Sequence, residues 1–377
     1  MLNYLENSII IITIATLTLL LTILLYHSIL YWQEKLYISK KEKWGPVFLQ
    51  YLNEEIDLDK AADILNCDFS FLYKLFLGYL SNHNKVDRKD LYRLRALASK
   101  IGILDYYIKR LNSMSKKRRL RAISFLAKIE EVSVLNIYQK NLNDKDERIM
   151  LASCRAIARI GEHSLFVPVL RNLFNRTNMT FEGISDIMII FGKGVSKDIQ
   201  LLLEDYIDGK KDLAALFAVE EFVSLSLLID ILGYFKYKPA VKILEELLRR
   251  EDNNEVIIHI FKALKKIGEV IAEDLHDYIL NEDWVIRSQA VGYISTIRDS
   301  RYKEELESLL SDEHWWVRYY AAQALYEIGE KDLLIKITSA SVFASDITRY
   351  VLAQNKEYVE DLSVEDLSVE NLEGSLS

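Results

Sequence analysis

The chain is built on a unit of about 31 residues that recurs along its length. The stretch WWVRYYAAQALYEIG at 315–329 has a counterpart one unit earlier, at 284–298. When the other units are aligned to these two, their closing position falls at residues 102, 130, 161, 192, 233, 268, 298 and 329. We name this position the glycine column, because six of the eight residues are glycine in a chain with only 13 glycines. Such recurrence predicts an array of stacked structural repeats.

Each unit has the pattern of a helical hairpin. The positions of Ala324, Leu325 and Ile328 are apolar or aromatic in every unit, and their spacing puts them on one stripe of a helix. The glycine column suits the left-handed residue that follows a helix, and a second apolar segment comes after it. Polar residues at a common phase are expected to cap the first helices: Ser113, Asp144, Asn175, Asn281 and Asp312. The expected fold class is all-α, with about eight helical-hairpin repeats stacked as an α-solenoid over 84–352.

The repeat resembles a known family. A pattern of the type Asp/Asn-x-x-Trp-Val-Arg-x-x-Ala-Ala-x-Ala-Leu-x-x-Ile-Gly, matched most fully between Asp312 and Gly329, is similar to the HEAT repeat. The short bacterial form of that repeat is also seen in phycobilin-lyase-type proteins. The resemblance covers about residues 84–340 and implies a surface for protein–protein interaction. It is weaker in units four and five, where Phe181 and Phe222 replace the arginine and the glycine column, at 192 and 233, has its longest interval.

An uncharged stretch lies near the N-terminus. The segment between Glu6 and Glu34 carries no formal charge if His27 is neutral, and a bilayer core needs about 20 apolar residues in a helix. We therefore predict a transmembrane helix at 8–31. A cleaved signal peptide would need a basic residue before the apolar run and a small-residue cleavage site after it, and neither is present.

The charges that flank this stretch predict its orientation. No Lys or Arg precedes it, and four lysines follow it closely, at positions 35, 40, 41 and 43. Since cytoplasmic flanks carry the Lys/Arg excess, residues 1–7 are expected outside a bacterial inner membrane and the rest of the chain inside. The other expected segments are a juxtamembrane helical segment at 32–83, in which Gly45-Pro46 ends a helix, and an acidic, disordered tail at 353–377.

Basic residues are concentrated in one segment. Residues 85–121, named here the basic block, hold 13 basic and 3 acidic side chains, although the whole chain has a net charge of −8. The functional interpretation is contact with anionic lipid head groups or with an acidic partner, the acidic tail being one such partner. The plain alternative is a solvated helix face. The candidate contacts are Lys116, Lys117, Arg118, Arg119 and Arg121.

The sequence carries no enzyme signature. It has no Gly-rich phosphate loop, no Ser nucleophile elbow and no metal-ligand spacing among its six histidines. We predict a chain that is not an enzyme and that needs no cofactor, metal or small-molecule substrate. Trp315 and Trp316 are candidate partner-binding aromatics, because Trp is enriched at interface hot spots. The alternative for both is packing between the last two repeats.

The predicted function is that of a membrane-anchored scaffold, which holds a protein partner at the cytoplasmic face of the membrane by its concave surface. The layout resembles membrane-anchored bacterial HEAT-repeat proteins, which often accompany membrane glycosyltransferases of polysaccharide export. The resemblance therefore implies a partner of that kind. Two alternatives stay open: a HEAT-like lyase or enzyme subunit, and a nucleic-acid tether through the basic block, which the acidity of the rest of the array disfavours.

Overall fold

A computed structural model of the chain describes residues 2–66, 68–82, 87–176, 179–340 and 342–355. Within these ranges the chain is helical and has no β-strand, which confirms the predicted all-α fold class. The chain divides into two compact units, unit 1 at Met1–Leu165 and unit 2 at Phe166–Ser377. Lys85 of the basic block and nearly all of the predicted tail lie outside the described residues.

Unit 1 begins with one very long helix and continues as shorter helices. Its α-helices are α1 (Leu2–Leu52), α2 (Leu58–Leu65), α3 (Phe69–Asn82), α4 (Arg88–Ile101), α5 (Ile103–Arg110), α6 (Lys116–Lys128), α7 (Leu135–Asn141) and α8 (Glu147–Ile160). Short 3₁₀ turns lie at Val132–Val134 and His163–Leu165. Helices α4 and α5 form one hairpin, and α6 packs on both α5 and α8. Consecutive hairpins are therefore stacked within the unit.

Unit 2 repeats this arrangement. Its α-helices are α9 (Phe166–Arg176), α10 (Phe181–Ile189), α11 (Val195–Ile207), α12 (Leu213–Phe217), α13 (Glu221–Tyr234), α14 (Val241–Arg250), α15 (Asn254–Ile267), α16 (His276–Ile279), α17 (Trp284–Ile297), α18 (Lys303–Leu309), α19 (Trp315–Glu327), α20 (Lys331–Ala340) and α21 (Val342–Gln354). Its 3₁₀ turns lie at Lys238–Ala240 and Ser300–Tyr302. Helices α13, α15, α17, α19 and α21 pack side by side in that order, and α14, α16 and α18 each pack on the helix that follows. This is the helix stacking of an α-solenoid.

The glycine column closes most of the first helices as predicted. Positive φ angles occur at Gly102, Glu130, Gly161, Gly192, Gly268, Arg298 and Gly329. At Arg298 an L-residue adopts a φ of 54°, and the N–H of this residue caps α17 by donating to the carbonyl of Ile294. The left-handed closing turn is therefore kept even where the glycine is lost.

The prediction for Gly233 is wrong. Gly233 lies inside α13, and the left-handed residue that closes this helix is Lys236, with a φ of 48°. A Cβ atom added at Gly233 would lie 2.7 Å from the Cα atom of Ala263. Glycine is required there because α13 and α15 approach each other closely, and not because of the backbone angle.

The irregular interval between units four and five contains an additional short helix. Helix α12 follows α11 and ends at Phe217, and the next residue, Ala218, caps it with a left-handed φ of 55°. The side chains of Leu213 and Phe217 are fully buried. The long spacing is therefore an insertion that adds to the core rather than a loss of the helical pattern.

Four of the five predicted N-caps lie two residues before the true N-cap, and the fifth, Asn175, lies inside α9. Asp146 and Asp283 cap α8 and α17 with their side chains. The predicted residues Asp144 and Asn281 instead accept hydrogen bonds from the N–H groups of these caps, at 2.8 and 2.9 Å. They form Asx turns that lead into the helix. The sequence correctly predicted that polar residues recur at this position of the repeat. Their side chains, however, stabilise the turn before the helix and do not cap the helix itself.

The prediction that Gly45-Pro46 ends a helix is also wrong. Helix α1 continues through Pro46 to Leu52. Proline in a helix interior removes one backbone hydrogen bond and crowds the preceding turn, at a cost of about 3 kcal/mol. Burial of Phe48, Tyr51 and Leu52 after the proline offsets this cost, since burying such side chains contributes about 1.5–3 kcal/mol each.

Candidate functional site

The first part of α1 presents apolar side chains to the outside. Leu17, Leu20 and Leu24 are each more than half exposed. By length and composition, α1 is the one helix of the described residues that could cross a membrane. The hydroxyls of Thr18 and Thr22 donate to backbone carbonyls of the preceding turn, at 2.8–2.9 and 2.7 Å. Their polarity is thereby satisfied within the helix, as an apolar surrounding requires.

The second part of α1 packs on the body of unit 1 through aromatic side chains. The ring of Phe71 lies 5.4 Å from that of Trp44, and the ring of Phe48 lies 5.3 Å from that of Phe76. The Tyr51 hydroxyl donates to the carbonyl of Arg93 at 3.1 Å. The exposed apolar half and the packed half therefore belong to one continuous helix.

A cleft of about 640 Å³ opens where these two halves of α1 meet. It lies between α1 and α3 and is lined by Leu30, Gln33, Glu34, Tyr37, Tyr73, Lys74, Leu77, Gly78 and Ser81. The Lys74 ammonium lies 5.2 Å from the ring centre of Tyr37. Sequence analysis missed this cleft, because its walls come from segments about 40 residues apart that only the packing of α3 on α1 brings together.

The structure separates the five predicted basic contacts into two groups. Lys117 and Arg118 are exposed on the first turn of α6. Lys116 pairs with Asp146 at 2.9 Å and Arg119 with Asp144 at 2.7 Å. The guanidinium of Arg121 lies 4.3 Å from the ring centre of Tyr73, and it also donates to Ser70 at 3.4 Å.

The electrostatics of this turn favour anions. The first turn of α6 carries no acidic residue, and the N-terminal end of a helix already bears partial positive charge. The side chains of Arg148 and Lys116 hold the pKa of Asp146 well below its usual range. Lys117 and Arg118 therefore present their charge to solvent beside a positive helix end, while the neighbouring basic residues serve contacts within unit 1.

An aromatic surface lies at α19 and α21, and we define it as Trp315, Trp316, Tyr319 and Tyr350. The rings of Trp315 and Tyr319 are parallel with centres 5.3 Å apart, and the ring of Tyr350 lies 6.2 Å from that of Trp315. Trp316 is 50 % exposed and Trp315 is 36 % exposed. Trp315 thus packs against α21, while Trp316 presents half of its surface to the outside.

Trp284, which holds the position of Trp315 in the preceding repeat, is used differently. Its ring stacks on that of His314 with centres 5.0 Å apart and planes 6° apart. It therefore bridges α17 to the turn before α19. Trp284 and Trp315 hold the same position in their repeats but contact different residues. The repeat position alone therefore did not predict which of them is exposed.

Sequence analysis also missed a link between neighbouring repeats. Arg287 donates to both carboxylate oxygens of Asp312, at 2.9 and 3.1 Å, and also to the carbonyl of Asn281 at 2.7 Å. Arg119 binds Asp144 in the equivalent place in unit 1. In both pairs the aspartate follows the arginine by 25 residues. That constant spacing is the sequence signal from which the link could have been found.

Within the described residues, no group of three or more His, Cys, Asp or Glu side chains is placed to hold a metal ion. Cys154 is buried in α8 with its sulfur 3.5 Å from that of Met150. Its surroundings are those of a core residue.

Comparison with known proteins supports the repeat assignment in the C-terminal part of the chain. The family model for HEAT repeats matches residues 272–354. Two engineered proteins with crystal structures from the Northeast Structural Genomics Consortium are similar to this chain. One has 15 % identity over 83 % of this chain and 99 % of its own, with a TM-score of 0.34, and the other has 17 % identity over 73 % and 97 %, with a TM-score of 0.19. No curated protein matches the chain.

Proposed function

We propose that this chain is a non-catalytic scaffold, anchored in a membrane by the first part of α1, that binds a protein partner through unit 2. One observation carries the proposal: an exposed apolar helix of spanning length continues without interruption into a body of stacked helical hairpins. HEAT repeats at 272–354 support an interaction role, since helical repeat arrays present extended binding surfaces.

The aromatic surface is the proposed partner site. Trp and Tyr dominate interface hot spots because they bury large areas with few rotatable bonds. Trp316 offers such an area, and Tyr319 and Tyr350 hold Trp315 beside it. The partner proposed is a membrane protein, in keeping with the resemblance to HEAT-repeat proteins that accompany glycosyltransferases of polysaccharide export.

The proposed location is the bacterial inner membrane, with the N-terminus outside and both units in the cytoplasm. The four lysines that follow the apolar stretch support this orientation. Lys117 and Arg118 would then face an anionic leaflet or an acidic partner, because they are exposed, whereas the exposed Lys116 is already paired with Asp146. Each basic residue near such a surface contributes about 1 kcal/mol.

Membrane anchoring is tested by alkaline carbonate extraction of cells that express either the full chain or a chain lacking residues 1–31. The full chain is expected in the membrane pellet and the shortened chain in the supernatant. The intact mass of the purified protein must include residues 1–31. Extraction of the full chain by carbonate, or a mass lacking that segment, would contradict the anchor.

The partner site is tested by a photo-crosslinking residue at position 316, with position 234 as the matched control. Tyr234 is an aromatic residue of unit 2, 55 % exposed, and it lies outside the aromatic surface. We expect capture of an integral membrane protein from position 316 and not from position 234. Equal capture from both positions, or capture of soluble enzymes alone, counts against the scaffold.

A charge reversal at Lys117 and Arg118 distinguishes the nucleic-acid alternative from the proposed scaffold. Reversal of Lys210 and Lys211 in unit 2 is the control. Under our proposal the reversal weakens attachment to anionic vesicles, and the full chain shows no salt-steep binding to DNA. DNA binding that falls steeply with salt and is lost in the Lys117/Arg118 variant would favour the tether.

A further inference from the structure

We propose that the cleft between α1 and α3 holds one anionic phospholipid from the membrane in which α1 is anchored. This inference rests on the proposed function, because it needs the cleft to open beside a bilayer. It adds a specific lipid site to what would otherwise be only an anchor.

The size and form of the cleft suit part of an amphiphile. Its volume of about 640 Å³ lies within the range of about 300–1,000 Å³ that small-molecule sites occupy. One wall is the 30–37 segment of α1 and the other is the 73–81 segment of α3. Gly78 leaves one wall open, since a Cβ atom added there would meet no atom within 4 Å.

The walls are divided between apolar and cationic groups. Leu30, Leu77 and the ring of Tyr73 offer an apolar surface for an acyl chain, and Lys74 stands at the same cleft as a hydrogen-bond donor. Such a donor forms charge-assisted hydrogen bonds with a phosphate. One carboxylate, that of Glu34, also lines the cleft.

Two further cations contact residues of these walls. Arg121 covers the face of Tyr73, and the Lys128 ammonium donates to the hydroxyl of Ser81. Burial, together with the charge of Arg159, lowers the pKa of Lys128. The lining itself holds one cation, Lys74, and one carboxylate, Glu34. Arg121 and Lys128, which contact the lining residues Tyr73 and Ser81, add positive charge beside it, and a head group of net negative charge would complement that charge.

The position of the cleft along α1 selects a lipid over a soluble anion. Leu30 lies near the end of the uncharged stretch that precedes Glu34, and the exposed aromatic side chains of Tyr31 and Trp32 follow it. Aromatic residues of this kind lie at the level of lipid head groups. An acyl chain could then enter the cleft along α1 from the apolar side, with its phosphate against Lys74.

The test is native mass spectrometry of the full chain in a neutral detergent, titrated with phosphatidylglycerol or phosphatidylcholine. The wild type is expected to retain one phosphatidylglycerol and to prefer it over phosphatidylcholine. Lys74→Gln is expected to reduce that preference by about tenfold, the effect of losing one hydrogen bond to a charged group. Lys60→Gln, which removes an exposed lysine of α2, is the matched control and is expected to bind as the wild type does.

Gly78→Leu tests the cleft itself. The new side chain would occupy the space now open beside Gly78, and Leu has a higher helix propensity than Gly. Circular dichroism is expected to show an intact fold with the bound lipid lost. A wild type that retains no lipid, retains both lipids equally, or takes up inorganic phosphate in place of the lipid would overturn the inference, as would a folded Gly78→Leu that binds normally.

Failure of this inference and failure of the anchor give different results. A chain that stays in the carbonate pellet but binds no phosphatidylglycerol refutes only the lipid site. A full chain that is released by carbonate refutes the anchor, whatever the detergent titration shows.

Discussion

Arg287 and Asp312 form a bidentate ion pair that joins two consecutive repeats, with both side chains almost completely buried. The arginine also satisfies the carbonyls of Asn281 and Glu282 in the turn before its own helix. One guanidinium thus fixes the turn of its own repeat and the start of the next. Stacking of the repeats therefore depends on a buried charge pair as well as on the apolar core.

Replacing Arg287 by Ala is expected to lower the free energy of unfolding by about 3–5 kcal/mol, because it leaves the buried Asp312 carboxylate without its partner. Lys238→Ala is the matched control. It removes an exposed pair with Glu269, and such pairs contribute at most about 1 kcal/mol. Chemical denaturation of the purified full chain measures both. Equal losses for the two variants would mean that the buried pair does not hold the repeats together.

Two glycines inside helices should respond in opposite ways to replacement by Ala. Gly233→Ala places a methyl group against the backbone of Ala263, and overpacking of this kind costs about 1–3 kcal/mol. Gly78→Ala meets no atom within 4 Å and gains up to about 1 kcal/mol in helix propensity. Denaturation midpoints of the two variants relative to the wild type are the measurement. A tolerated Gly233→Ala would contradict the close approach of α13 and α15.

Arg298→Gly is expected to stabilise the chain by about 0.5–1 kcal/mol, because glycine adopts the left-handed conformation without the strain of an L-residue. The substitution also removes an exposed ion pair with Glu327. Arg298→Ala removes the same pair and keeps the strain, so the difference between the two variants isolates the backbone effect. If Gly and Ala gave the same stability, the positive φ at this position would not be strained.

Stability is expected to fall between about pH 10 and pH 12 because of buried tyrosines. Burial raises the pKa of Tyr293 from 10.0 to about 12, so the unfolded chain loses this proton before the folded chain does. The stabilisation of the folded chain that comes from this raised pKa is present below pH 10 and disappears as the pH rises toward 12. It is at most about 2–3 kcal/mol.

Tyr293→Phe isolates this effect. The variant loses hydrogen bonds to Glu269 and Ile271, so it should be less stable than the wild type at pH 7 by about 1–3 kcal/mol. Its stability should then fall less steeply than that of the wild type above pH 10. Denaturation at a series of pH values gives both slopes. Parallel curves would show that Tyr293 ionises at the same pH in the folded and unfolded chains.

The sequence was most informative where a local rule acts alone. The stripe at Ala324, Leu325 and Ile328 predicts a helix because spacing decides which side chains share a face. The left-handed residue at Gly161 or Gly268 was predicted because a helix end requires it. Gly233 looks identical in the sequence but serves a close approach between two helices. No local pattern distinguishes these two uses of glycine.

Other features depend on contacts between distant segments. Pro46 fails to end α1 because burial of Phe48 and Tyr51 outweighs the local cost of the proline. Lys74 and Leu30 meet only because α3 packs on α1. Arg119 was predicted as a surface contact, but its partner Asp144 lies in the next hairpin. The sequence therefore indicated which residues carry charge, but the packing determined which of them remain available to a ligand.

The uninterrupted course of α1 has a mechanical consequence. At about 1.5 Å per residue, its 51 residues extend about 75 Å along the helix. The exposed apolar half runs directly into the turns where Tyr37 and Trp44 pack on Phe71, ahead of Pro46. Any tilt or rotation of the apolar half must turn the body of unit 1 by a corresponding amount. If the apolar half spans a membrane as proposed, a change in bilayer thickness would reach the helical hairpins of unit 1 as a change of their orientation.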